Sequence, residues 1–185
     1  MEASKQPAEK SETPKQEKKG SKPEEDDTDE AFYSVILHGQ IAFGKAPTPS
    51  QVKHLIDKGY KTFVNLLVVD KANYEAPNII YFPIDEDKGP KKDMRELMKQ
   101  LNDLLRKGEP IYVHCKNGRG RTGVVVSCLL ALYLDIDATI AIDILNFSHR
   151  RGHGTGRRWQ KFIIPSHRIQ RRFIYKFLGE DDESE

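Results

Sequence analysis

The chain is 185 residues long with a net charge of +2 and two cysteines, which leaves room for one ordinary domain and none for a disulfide framework. It holds no run of about eighteen apolar residues, and its polar start lacks an apolar signal core. The expectation is therefore a soluble protein of the cytoplasm, with the nucleus left open. Residues 1–30 and 179–185 carry fifteen of the 28 Asp and Glu but six of the 30 Lys and Arg, so the middle stands at about +11 and suits anionic ligands.

Residues 1–30 are Lys, Glu, Pro, Ser and Asp with hardly an apolar side chain, so a disordered tail is expected there, followed by one domain over residues 31–178. Residues 32–43 read as two short strands broken at His38-Gly39. Thr48-Pro49-Ser50-Gln51 offers a cap, a proline at the first helical position and a glutamine at the third, predicting a helix to about Lys58 that stops at Gly59. Residues 62–69 and 78–82 are apolar runs of strand length, expected as buried strands. Over 92–106, Met94, Leu97, Met98, Leu101, Leu104 and Leu105 recur at helical spacing, ending before Gly108. Residues 111–114 form a short apolar strand, and Gly118 and Gly120 keep 116–120 out of a helix interior. An apolar helix over 123–134 follows, with Cys128 in the core.

Asp137 can cap a further helix to about Ser148, and Ser166 a last one to Leu178. Between them, residues 149–161 read as a basic loop with three glycines, while residues 179–185 form a second acidic tail. Strands alternating with helices predict a single-domain α/β fold, a central mixed, mostly parallel sheet flanked by helices. Cys115 then emerges at the carboxyl end of a central strand, where ligands bind in open α/β sheets. No internal repeat is visible.

The segment carrying the chemistry is residues 113–123, V-H-C-K-N-G-R-G-R-T-G. A cysteine that opens a glycine-rich turn feeding a helix sits where backbone N–H groups and the helix dipole converge, which lowers a thiol pKa and binds a phosphate-sized anion. The segment resembles the active-site loop of the cysteine-dependent tyrosine and dual-specificity phosphatase superfamily, whose pattern is His-Cys, five residues, Arg, then Ser or Thr. The match falls on His114, Cys115, Arg121 and Thr122.

That resemblance implies a phosphotyrosine phosphatase-like fold over most of residues 32–178 and a phosphocysteine intermediate, with no metal and no cofactor. Cys115 would be the nucleophile. Arg121 would present a planar fork to two phosphoryl oxygens. Thr122 would hydrogen-bond the departing thiolate, and His114 would order the loop. Lys116, Asn117, Gly118, Arg119 and Gly120 would surround the phosphate. The plainer alternatives are a half-buried strand histidine at 114 and a helix-start hydroxyl at 122.

In such enzymes the general acid lies on an upstream loop, an Asp shortly before a Pro. Residues 82–90, F-P-I-D-E-D-K-G-P, offer Asp87 first, then Asp85, then Glu86. Residues 164–173 resemble the late segment of tensin-related phosphoinositide phosphatases that carries a water-orienting glutamine. Two extra residues precede Gln170 here, and an exposed helix glutamine is the plain alternative.

Lys116 and Arg119 are not needed for thiol chemistry and are reminiscent of the lipid enzymes. The leading expectation is hydrolysis of phosphotyrosine and phosphoserine or phosphothreonine in proteins. A phosphoinositide or RNA 5′-phosphate is the alternative substrate, and a catalytically weak, phosphate-binding pseudophosphatase is a third reading. In the basic loop, Trp159 could stack on a base. His149 and His153 have a metal-like i, i+4 spacing that Gly152 and Gly154 oppose. Oligomeric state is not legible.

Overall fold

The architecture follows from apolar strand runs that can be covered only by the apolar faces of the intervening helices. A computed structural model describes residues 32–68, 72–86, 89–90, 93–151 and 163–180. Its strands are β1 (Tyr33–Ile36), β2 (Ile41–Lys45), β3 (Thr62–Asn65), β4 (Asn78–Tyr81), β5 (Ile84–Asp85), β6 (Gly89–Pro90) and β7 (Ile111–Cys115). The helices are α1 (Pro49–Asp57), α2 (Met94–Arg106), α3 (Gly120–Leu134), α4 (Ala138–Arg151) and α5 (Arg168–Leu178). Five strands form one mixed sheet in the order β1-β2-β7-β3-β4. Only β1 runs antiparallel to its neighbour; the other pairs are parallel. β5 and β6 make a small separate hairpin. This is the single-domain α/β arrangement expected, with β7 at the centre.

Pleat alternation divides β7 between two cores. Ile111, Val113 and Cys115 face the larger core, built with α2, α3, α4 and α5, while Tyr112 faces a smaller aromatic core under α1. α3 is buried on nearly every side from Arg121 to Ala131, which is why its sequence is apolar all round rather than striped. Cys128 lies in that core as expected, fully buried, and its burial pushes the thiol pKa up.

Local signals set several boundaries. The predicted capping box forms at α1: Thr48 Oγ1 accepts from Gln51 N at 3.3 Å, and Gln51 Oε1 accepts from Thr48 N at 3.1 Å. Asp137 Oδ1 accepts from Ile140 N at 2.8 Å at the start of α4. Glu180, just past α5, folds back so that its carboxylate accepts from Ala138 N at 2.9 Å, an anion at the positive end of α4. No single described helix is long and apolar enough to cross a membrane.

Five expectations are corrected. β3 ends at Asn65, not residue 69, because the Asn65 side chain takes the Leu67 N–H at 2.9 Å and turns the backbone out of the ladder. β4 is the sheet edge, with Asn78 and Tyr81 exposed, rather than a buried strand. α3 begins at Gly120, three residues early, since its first-turn glycines are required by close packing described below. α4 continues through His149, Arg150 and Arg151. Ala138, Ala141, Ile142, Leu145, Asn146 and His149 form one buried stripe at helical spacing, so His149 is core rather than loop. α5 starts after His167, not from a Ser166 cap. The His167 carbonyl accepts from Gln170 N and Arg171 N, while the Arg171 guanidinium donates to Pro165 O at 3.0 Å.

Candidate active site

β7 delivers Cys115, 3% exposed, at the carboxyl end of the sheet, directly before a turn that enters α3. The turn is fixed by what touches its glycines. Gly118 has φ +70°, and a Cβ there would come within 2.3 Å of the Gly44 carbonyl carbon, so the turn rides on the end of β2. A Cβ on Gly120 would meet Gln170 Nε2 at 2.6 Å, and one on Gly123 would meet Ile164 Cγ2 at 2.4 Å. Lys116 O also accepts from Ala46 N at 3.4 Å. Arg119 occupies the N-cap position of α3 without a side-chain capping bond, which leaves the first-turn N–H groups for an anion.

Arg121, in the first turn of α3, is 9% exposed. Its Nη1 donates to Ile84 O at 3.4 Å, and its Nη2 lies 3.8 Å from Glu86 Oε2, a carboxylate that is itself largely in solvent. The β5–β6 hairpin therefore lies against the guanidinium, with Asp85 at its paired end opposite Gly89. Thr122 is fully buried, and its hydroxyl has no hydrogen-bond partner among the described residues. Gln170 is also buried, and its Oε1 has no such partner. A buried polar atom without a partner is costly unless a ligand or water supplies one. Two of them bracket this turn.

The helix that carries Gln170 is held by Asn146 on α4. Asn146 Nδ2 donates to Ile164 O at 2.8 Å and to Ile142 O at 2.9 Å, while its Oδ1 accepts from Ile164 N at 2.8 Å. This clasp presses Ile164 onto Gly123 and sets the entry to α5.

A family model described as "Polymorphic toxin system, DSP-PTPase phosphatase" matches residues 39–133, just over half of the chain. The chain belongs to the DSP-PTPase phosphatase family. Two relatives named as tyrosine phosphatases are each 32% identical to it: 067L of Invertebrate iridescent virus 3 over 157 residues and 197R of Invertebrate iridescent virus 6 over 136 residues. These matches cover 79% and 64% of this chain, which spans 65% and 50% of the relatives' own lengths. A crystal structure of PTPMT1 in complex with PI(5)P superposes with a TM-score of 0.61 at 17% identity, covering 80% of this chain and 97% of that one. That likeness shows the shared DSP-PTPase fold.

The DSP-PTPase fold gathers Cys115, Arg121, Thr122, Gln170 and the turn residues Lys116, Asn117, Gly118, Arg119 and Gly120 at one end of the sheet, with Glu86 against Arg121. Lys116 and Asn117 are exposed and Gly118 is buried. Gln170, for which an exposed helix position was the alternative, packs on Gly120 instead. Asp87, Trp159 and His153 lie outside the described residues. His114 points to the opposite face from Cys115. It is fully buried, stacks on Tyr112 with ring centroids 5.7 Å apart, and has Nε2 2.5 Å from Tyr74 Oη. Burial lowers its pKa to about 4 against a smaller opposing pull from the Cys115 backbone, so the ring is neutral at pH 7.

Sequence reading missed Tyr74 and Asn146. Tyr74 lies outside every regular element, and the purpose of Asn146 shows only in its bonds to Ile164, which lies between α4 and α5.

Proposed function

We propose that this DSP-PTPase hydrolyses phosphate monoesters through a phosphocysteine intermediate. The observation that carries the reading is the buried Cys115 at the mouth of an uncapped helix start whose first turn holds a buried Arg121. Cys115 Sγ, as thiolate, attacks phosphorus, and the P–O bond to the alcohol breaks as a carboxylic acid protonates the leaving oxygen. Arg121 and the first-turn N–H groups of α3 hold the non-bridging oxygens. Water oriented by Gln170 then cleaves the S–P bond, and Thr122 donates to the departing thiolate. The two unpartnered buried groups, Thr122 Oγ1 and Gln170 Oε1, support those second-step roles.

Asp87 and Asp85 are the proposed acids. Glu86, paired with Arg121, serves better as an occupant that incoming phosphate displaces. The substrates proposed first are phosphotyrosine and phosphoserine or phosphothreonine in proteins, in a cytoplasmic setting.

Hydrolysis of an aryl phosphate by wild type and Cys115→Ser tests the mechanism. Loss of turnover in the variant is expected, and equal rates would remove Cys115 as nucleophile. Asp87→Asn and Asp85→Asn, each with a pH–rate profile on a poor leaving group, separate the two acids. Only loss of the true acid abolishes the alkaline limb.

A further inference from the structure

We propose that Lys45 is a specificity-determining residue that binds a second phosphate on the same small substrate scaffold as the phosphate being cleaved. This rests on the phosphatase reading above and extends it to a part of the site that the Cys-to-Arg motif does not contain. In the register of β2 against β7, Ile41 pairs with Ile111, Phe43 with Val113, and Lys45 with Cys115. Paired residues of parallel strands project to the same face about 4.8 Å apart. Ile41, Phe43, Ile111, Val113 and Cys115 all lie in the larger core, so Lys45 is the last residue of that row, at the point where the row leaves the core. It is exposed, next to the thiol.

The turn stays close to this lysine. A Cβ on Gly118 would lie 2.6 Å from Lys45 N, and Ala46 N donates to Lys116 O. Tyr112 Oη donates to Lys45 O at 2.6 Å from the opposite face, which pins the strand end and fixes where the side chain starts. Lys116 is exposed on the turn that this strand end supports. Among the described residues neither ammonium is engaged in a hydrogen bond or ion pair. Arg121, by contrast, is buried and already occupied by Ile84 O and Glu86.

A monophosphate ester uses the turn and Arg121 and leaves both lysines idle. A scaffold with a second phosphate one or two carbons from the first places it beside the β2 end. There the flexible four-carbon stem of Lys45 can follow it and Lys116 can share it.

The test compares kcat/KM for a soluble inositol bisphosphate and for an aryl monophosphate, in wild type, Lys45→Gln and Lys45→Arg. In Lys45→Gln the ratio of the two values is expected to fall about tenfold, the size of one lost charge-assisted contact, through a rise in the KM for the bisphosphate rather than a loss of kcat. Lys45→Arg is expected to restore most of the ratio. A ratio unmoved by Lys45→Gln overturns the proposal. The same bisphosphorylated headgroup presented in phosphatidylcholine vesicles distinguishes the source. A drop confined to vesicles assigns Lys45 to the lipid surface and also overturns it, whereas a drop on the soluble compound upholds it. Wild-type protein that turns over neither substrate overturns the phosphatase reading itself.

Discussion

At the residue scale, the Arg121–Glu86 contact is the least expected part of the site. Glu86 was the third of three acid candidates, and its carboxylate lies 3.8 Å from the guanidinium that should receive phosphate. An exposed carboxylate in that place competes weakly with an anion, since pairs of this kind are worth about 0.2–1 kcal/mol. We predict that Glu86→Gln tightens inhibition by inorganic phosphate about two- to fivefold while the alkaline limb of the pH–rate profile persists. Loss of that limb would make Glu86 the acid and return its contact with Arg121 to a resting pose. Cys115, Arg121 and Thr122, which the fold brings to one end of the sheet, were legible as a group because the chemistry proposed for them demands side chains of those kinds at fixed spacing. Lys45 was not, because its relation to Cys115 exists only through strand pairing across 70 positions of sequence.

At the scale of elements, the α1 and α4 caps were read well, while the Ser166 cap, the end of α4 and the strand limits were read poorly. The α1 capping box and the Asp137 cap are local devices written in four or five consecutive residues. The premature end of β3 depends on one asparagine choosing a neighbouring N–H over the ladder, and the edge position of β4 depends on strand order, which no local pattern encodes. The strap from Ile163 to Pro165 shows the same limit. Its hold on α5 passes through two hydrogen bonds of Asn146 to Ile164, from a residue that reads as an ordinary polar interruption of α4.

We predict that Asn146→Ala destabilises the fold by about 1–3 kcal/mol, measured by urea denaturation, because it leaves both backbone groups of Ile164 buried and unpaired. It should also slow breakdown of the phosphoenzyme through Gln170, visible as a larger burst relative to the steady rate. A loss of stability with an unaltered burst would confine Asn146 to folding.

For the whole molecule, the two cores respond differently to pH. The larger one is almost wholly apolar, whereas the smaller one surrounds a neutral His114 with Tyr74 and Tyr112. His114 has a pKa of about 4 in the fold against 6.5 for an ordinary histidine. As pH falls, the unfolded chain takes up this proton before the native one does. The contribution of His114 is therefore complete above pH 6.5 and is lost as pH falls towards 4, by about 3 kcal/mol in all. Denaturant midpoints across that window should slope downward with acid in the wild type and less steeply in His114→Asn. Parallel slopes would place the acid sensitivity elsewhere.

The three glycines of the turn bear on whether this chemistry could be moved. Gly118 leans on the β2 end, Gly120 on Gln170 and Gly123 on Ile164, so three separate parts of the chain converge on six residues. Grafting residues 114–123 onto another strand and helix would carry Cys115, the proposed nucleophile, and Arg121 but none of those walls. The transplanted turn would lack the supports that define its shape. Such a graft should bind phosphate poorly unless the β2 end, the strap and the start of α5 travel with it, which makes this site a property of tertiary assembly rather than of a portable peptide.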